Sequence, residues 1–317
     1  PGAILYLRVY FLGMPALALY NFGNAVFSAI GETKKPLAYL SFAGVLNILL
    51  NLFFVIVCKL DVAGVALAST IAQCVSAGLI LHALTKVSDC YALDFRKVRL
   101  DLNMTKRILM LGVPAGLQNA IFAIANLFIQ AGVNSFDSLM VKGNSAAANA
   151  DAMIYDAMAA FYMACASFMS QNYGAGKWKR MDKVLRNCIL LSVVVSLILG
   201  GGSYLFGPEL LKIYTSDPKV IQCGMEILLY TTVTYFMCGL MDLFPGALRG
   251  MGYSAIPMLL SIIGTVGTRI VWIFMIFPRH RSLDVLFISY PASWLITIIL
   301  QVICYFFVRK RIHNPLP

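Results

Sequence analysis

Four ionisable side chains sit within or at the end of long apolar stretches: Asp156, Asp242, Arg249 and Arg269. A charge at bilayer depth is expensive, so such residues face a bundle interior and pair with one another or with a ligand. Asp156 and Asp242 are therefore expected to be protonated, paired or cation-bound. A carboxylate whose occupancy changes as helices rearrange would couple an ion gradient to movement of a solute. Asp156 and Asp242 are the cation-coupling candidates, with H⁺ or Na⁺ as the ion, and Arg249 and Arg269 are the candidates for charge pairing.

Neutral polar groups accompany them. Asn119, Asn126 and Gln130 are 7 and 11 residues from the first, which at 100° per residue puts them within about 40° on one helix face. Asn149 and Asp156 are seven apart, as are Asp242 and Arg249. These faces, with Tyr290 and Trp294, are expected to line a hydrated cavity. The plainer role for any one amide is an interhelical hydrogen bond worth about 0.6 kcal/mol. Pro114, Pro245 and Pro291 lie inside apolar stretches, where a missing amide bends a helix. Pro245 with Gly246 and Gly250 marks the expected point of deformation, so these five are the hinge candidates.

Several chemistries lack their residues. His82, His280 and His313 are far apart and show no metal-ligand spacing. No glycine-rich phosphate loop precedes a Lys-Ser/Thr pair. The eight cysteines are scattered and match no disulfide or zinc framework. No catalytic residue, metal or cofactor is expected.

The elements that must hold these groups are membrane helices. The chain is 60% hydrophobic and 12% charged, with a mean hydropathy of +0.80, well above soluble domains. A spanning helix needs about 20 apolar residues, and nine segments qualify: roughly 4–30, 37–58, 62–85, 107–136, 143–170, 188–206, 225–248, 256–278 and 284–308. Their runs are continuous instead of alternating, which excludes barrel strands. With the loop after the first segment placed in the cytoplasm, Lys and Arg divide seventeen inside to seven outside, Arg269 being mid-helix, 25 in all. The net charge of +11 is thus an insertion signal, and its spread over many loops gives no nucleic-acid patch.

The segments repeat. Residues 4–86 and 225–307 align without a gap at an offset of 221, each with a helix, a glycine turn and a proline (Gly31 and Pro36; Gly252 and Pro257), then two more apolar stretches. Ser28 falls at the place of Arg249, and Asn21, Asn24, Asn47 and Asn51 give the first copy a neutral polar lining. Six segments follow Lys106 but only three precede it. The expected fold is an all-α polytopic membrane protein of two pseudo-symmetric six-helix bundles, with the first three helices of the N-terminal bundle missing. Residues 1–86 form the rest of that bundle, 87–105 a cytoplasmic linker suited to a short amphipathic surface helix, and 106–317 the second bundle.

Four strings in this order resemble the multidrug and toxic compound extrusion (MATE) family, nearest its DinF-like bacterial branch. They are Leu111-Gly112-Val-Pro114-Ala-Gly-Leu-Gln118, Ser167-Phe-Met-Ser-Gln171-Asn172-Tyr-Gly174-Ala175-Gly176, Gly246-Ala-Leu-Arg249-Gly250-Met-Gly252 and Ser289-Tyr290-Pro291-Ala-Ser293-Trp294. The resemblance places the chain at helices 4 to 12 of that family. It implies a monomeric secondary antiporter of the bacterial inner membrane, exporting amphipathic, cationic compounds against H⁺ or Na⁺ by alternating access of two bundles, with the lipid bilayer as its other partner. The sequence departs from the family at the helix-7 carboxylate, which is missing near Phe122. Asp242 is a neighbour in register of the helix-10 acid, and the branch's helix-1 aspartate has no counterpart here. Two other readings are a lipid-linked oligosaccharide flippase of the same superfamily, whose pyrophosphate would require a cationic cavity, and an inactive membrane fragment.

Overall fold

A computed structural model describes residues 2–89 and 91–313; Cys90 and the side chain of His313 lie outside the described residues. Those residues are mostly helical, with no strand among them. By length and composition eight helices can cross a membrane, and a bent pair, Pro218–Thr232 with Tyr235–Gly250, makes a ninth. The chain divides into two compact units, Pro1–Asp101 and Leu102–Pro317.

The first unit holds α1 (Gly2–Ala29), α2 (Lys34–Leu52, continued by a π-helical turn at Phe53–Val57) and α3 (Asp61–Thr85). Gly13, Tyr20, Gly23 and Phe27 form the one buried stripe of α1. A side chain at Gly23 would meet Ile80 of α3 at 2.9 Å, so the glycine lets two backbones approach, as is common between membrane helices. The other faces expose Phe11, Leu12, Phe22 and Leu37, as expected of surfaces solvated by lipid.

The second unit holds α4 (Leu102–Val133), α5 (Ser138–Gly174), α6 (Trp178–Leu205), a short α7 (Gly207–Lys212), α8 (Pro218–Thr232), α9 (Tyr235–Gly250) and α10 (Ala255–Ser261). After α10 come a π-helical turn (Ile262–Gly267), α11 (Thr268–Val271), a second π-helical turn (Trp272–Ile276) and α12 (Leu283–His313). The 37-residue α5 is the central post and packs against α6, α8 and α9. Asp137 caps it by accepting a hydrogen bond from the Met140 amide at 2.9 Å. Its packed stripe is of small and apolar residues: Gly143, Ala146, Ala147, Ala150, Ile154 and Met158. At the other end Arg309 of α12 grips Asp182 of α6 through two hydrogen bonds of 2.9 Å.

The repeat read from the sequence is repeated in the backbone. Adding 221 to the end of α1 (Ala29) and the start of α2 (Lys34) gives the end of α9 (Gly250) and the start of α10 (Ala255). The caps agree bond for bond. Gly31 and Gly252 carry φ of 83° and 90°. Their amides donate to Ser28 O (3.1 Å) and Arg249 O (2.9 Å), and the next amides, of Glu32 and Tyr253, donate to Phe27 O and Leu248 O, both at 2.9 Å. This is a Schellman closure, which needs glycine at the left-handed position.

One expectation is corrected. Residues 87–89 and 91–101 form turns and irregular chain, and α4 starts at Leu102, so no amphipathic helix forms among the described residues of the linker. Asp89, Asp94, Arg96, Lys97 and Arg99 interrupt its few apolar residues too often for a helical stripe. The seventh span is also broken at Val233–Thr234, where two helices meet at 44°, twelve residues before Pro245. Thr231, Thr232 and Thr234 surround that break, and their hydroxyls donate to carbonyls three or four residues back, local bonding that competes with the helix ladder. Gly246 and Gly250 instead press α9 onto α5: a Cβ at Gly250 would lie 2.6 Å from Ala166 O and 2.8 Å from Met169 Cβ.

Candidate functional site

Polar chemistry in the second unit is organised around two arginines. Arg249, in the last turn of α9, donates from Nη1 to the Tyr162 hydroxyl of α5 and from Nη2 to Oε1 of Gln118 on α4, both at 2.7 Å. Asp242, two turns earlier on α9, has the Tyr155 hydroxyl and the Arg249 charge as its polar surroundings. Among the described residues no salt bridge of 4.0 Å or less involves Asp242 or Arg249.

Arg269 lies between the two π-helical turns on α11 and is only 5% exposed. Nη1 donates to Asn126 Oδ1 at 2.7 Å and Nε to the Ser293 hydroxyl at 3.3 Å. The guanidinium carbon sits 4.3 Å over the Tyr290 ring, close enough for a cation–π contact. Again no salt bridge is made within the described residues. Short π-helical turns often mark functional positions, and here they fix the height at which a buried cation meets α4 and α12.

Tyr290 has a second role. With Phe287 and Trp294 it forms the α12 wall of a cavity of about 80 Å³ whose other walls are Asn144, Ala147, Ala148 and Asp151 of α5 and Ile227 and Thr231 of α8. Trp294 packs on Tyr235 and Tyr290, with ring centroids 6.1 and 5.8 Å away. The Tyr235 hydroxyl, just after the helix break, donates to the Asp151 carbonyl at 3.4 Å. Asn144 Nδ2 donates to Gln130 Oε1 at 3.1 Å, which ties the cavity to the polar face of α4. Among the described residues no group of three or more His, Cys, Asp or Glu side chains has metal-site geometry.

Comparison with known proteins places this architecture. The MatE family model matches residues 114–275, half of the chain, and the model of the lipid II flippase MurJ matches residues 4–123. The chain belongs to the MatE family. The probable multidrug resistance protein YpnP of Bacillus subtilis is 29% identical over 83% of this chain and 59% of its own length. YoeA of the same organism, also named a probable multidrug resistance protein, is 24% identical over 96% of this chain and 68% of its own length. The chain thus spans about three fifths to two thirds of those relatives. A crystal structure of MATE in complex with MaL6 superposes with a TM-score of 0.90 at 18% identity, covering 98% of this chain and 70% of that one, a likeness of fold.

In this MatE chain the structure sorts the residues singled out by sequence. Asn126 and Gln130 are in the networks just described, as are Arg249, Arg269, Tyr290 and Trp294. Asn119 is exposed, and the buried amide of that turn is its neighbour Gln118, the acceptor for Arg249. Asn149 and Asp156 do share a face of α5, but it is the exposed one; seven-residue spacing fixes a common face and not which face is packed. Asn149 lines a separate cleft of about 340 Å³ with Lys142, Ser145 and Tyr214. The inward-facing carboxylate of α5 is Asp151, which sequence reasoning passed over. The signal for it was the stripe of Gly143, Ala147, Ala150 and Ile154, which points the same way. The expected Arg–Asp pairs are likewise replaced by Arg–amide and Arg–hydroxyl contacts. Pro114, Pro245 and Pro291 all lie inside helices.

Proposed function

We propose that the chain carries the C-terminal unit and part of the N-terminal unit of a secondary active antiporter that exports amphipathic, cationic compounds across the bacterial inner membrane in exchange for H⁺ or Na⁺, acting as a monomer by alternating access of two bundles. The observation that carries the reading is a bundle interior with arginines, carboxylates and amides contributed by α4, α5, α9, α11 and α12 around a broken helix. Apolar packing alone does not call for such groups, and discontinuous helices are where transporters place substrate and ion sites. The multidrug names of the relatives supply the substrate class. Nothing in the reading calls for catalysis.

One observation favours a second reading. Two buried or half-buried arginines with no carboxylate salt bridge suit an anionic, lipid-linked substrate, and the lipid II flippase model matches residues 4–123, the first unit and much of α4. Efflux of ethidium from drug-sensitive cells separates the two. Export that collapses with a protonophore or on Na⁺ withdrawal, and in Asp242→Asn, supports the cation antiporter. A well-inserted protein that exports no dye would sink it in favour of the lipid-linked substrate.

A further inference from the structure

The cleft of about 340 Å³ lies between the start of α5 and the chain that joins α7 to α8. Lys142 is the one charged residue of its lining, and among the described residues no carboxylate oxygen comes within 4.0 Å of its ammonium. The acids nearest in sequence are committed elsewhere. Asp137 and Asp217 cap α5 and α8, accepting from the Met140 and Lys219 amides at 2.9 Å, and Glu209 holds Lys212 at 2.6 Å. Lys142 is therefore an exposed cation without a counter-charge, whereas Lys212, close by in the chain that leads to the cleft, already has one.

The neutral polar groups of the lining keep donors to spare. Asn149 Nδ2 gives one hydrogen to the Ser145 carbonyl at 2.9 Å and retains the second. The Thr215 hydroxyl oxygen accepts from the Asp217 amide at 3.3 Å, which leaves its O–H free to donate. The Tyr214 hydroxyl has no protein partner among the described residues. One unpaired cation and three spare donors, with no acid in the lining, suit an oxyanion of single charge. A phosphodiester is such a group; a monoester would bring a second charge with nothing to meet it. The volume stands at the lower end of the roughly 300–1,000 Å³ of small-ligand sites. The surroundings name the source of the phosphodiester: Leu205, Phe206, Ile213 and Tyr214 are exposed at the end of one span and just before the next, the depth at which apolar and tyrosine side chains meet lipid headgroups.

We infer that the cleft lined by Lys142, Asn149, Tyr214 and Thr215 binds the phosphodiester of an anionic phospholipid. The Lys142 ammonium meets a non-bridging phosphate oxygen, the three neutral donors meet the remaining headgroup oxygens, and the exposed apolar side chains beside them, Ile213 foremost, meet the acyl chains. The inference goes beyond the export reading and does not rest on it. It is tested by lipid binding alone, so failure to export a dye leaves it standing.

Native mass spectrometry of the purified chain in a neutral detergent counts bound lipid as dioleoyl phosphatidylglycerol is titrated. Dioleoyl phosphatidylcholine, the same diester with its charge cancelled, is the comparison. A saturable site for phosphatidylglycerol is expected, at least ~10-fold tighter than for phosphatidylcholine. Lys142→Gln should weaken it ~10-fold, Lys142→Arg should stay within ~3-fold of the parent, and Tyr214→Phe should weaken it ~3-fold. Asn149→Ala, also ~3-fold weaker, keeps the test open should Lys142→Gln not fold. Lys212→Gln should match the parent, because that ammonium is already held by Glu209. Glycerophosphoglycerol, the headgroup without acyl chains, is then added at the same concentration as the lipid. Lipid that stays bound supports the phospholipid, and lipid displaced overturns that assignment in favour of a soluble phosphate ester. Equal binding of the two lipids, undiminished binding in a folded Lys142→Gln protein, or an equal loss in Lys212→Gln overturns the inference.

Discussion

Arg269→Met separates a cation kept for stability from one kept for function. The side chain makes one short charged hydrogen bond, to Asn126 at 2.7 Å, and a longer one to Ser293 at 3.3 Å, and it lies 4.3 Å over the Tyr290 ring. Bonds from a charged donor are worth about 1.5–3 kcal/mol and a desolvated cation–π contact about 2 kcal/mol, so the contacts sum to roughly 4–6 kcal/mol. Against this stands desolvation of a guanidinium without a carboxylate, several kcal/mol even after relaxation, which is why apolar isosteres of buried charges are often neutral or stabilising. Methionine fills much of the same volume and relieves that penalty. The two figures nearly cancel, leaving a change within about ±2 kcal/mol. For a unit the size of Leu102–Pro317 that is less than ~8 °C in Tm. Thermal unfolding of the detergent-purified protein measures it, with dye efflux from cells as the second readout. Efflux should fall at least ~10-fold, the equivalent of one lost transition-state or substrate contact of about 1.4 kcal/mol. A Tm lowered by more than ~10 °C with efflux intact would refute the reasoning and make Arg269 a structural anchor.

Two further predictions use the same assays. Gly250→Ala forces a methyl to within 2.6 Å of Ala166 O, so α9 must move away from α5 at about 1–3 kcal/mol. Gly201→Ala on α6, where nothing lies within 4 Å, should instead stabilise by about 0.5–1 kcal/mol; unfolding midpoints of equal sign in the pair would contradict the packing. A double-mutant cycle with Arg249→Met and Gln118→Leu should return a coupling of about 1–2 kcal/mol from their 2.7 Å bond, and strictly additive losses would show that the bond contributes nothing.

Much of the scaffold was legible because hydrophobic length and repeat spacing are properties of the sequence itself. Nine apolar stretches, a 221-residue offset and paired glycine turns translate directly into spans and caps. Ser167-to-Gly176 and its companion strings likewise placed the chain in a family. Side-chain partnership was less legible. Asn149 and Asp156 share a face by arithmetic, but which face of α5 packs depends on where α8 and α9 lie, and only the stripe of small residues hinted at it. Gln118 and Asn119 are adjacent, so a shift of one residue, 100° of rotation, decides which meets Arg249. The helix break at Val233–Thr234 carries neither proline nor glycine. The threonines clustered there are a weaker signal than Pro245 twelve residues on, so this break was not read from the sequence.

The duplication conserved geometry and let chemistry diverge. Shifted back by 221, Asp242, Arg249 and Arg269 fall on Asn21, Ser28 and Ile48, so the first unit keeps the caps and helix starts of the second without its charges. The cap is then a matter of backbone alone, and that can be tested. Gly31 and Gly252 have φ of 83° and 90°, and a Cβ at either would meet nothing within 4 Å. The cost of Gly31→Ala and of Gly252→Ala is therefore conformational in both, about 1–2 kcal/mol for a left-handed alanine, whatever side chains surround the turn. Unfolding followed with a probe in each unit should show the two losses equal within about 0.5 kcal/mol, the usual scatter for independent sites. A Gly252→Ala loss well above that of Gly31→Ala would mean that the Arg249 network draws on the cap geometry, and that the two halves differ in scaffold as well as in charge.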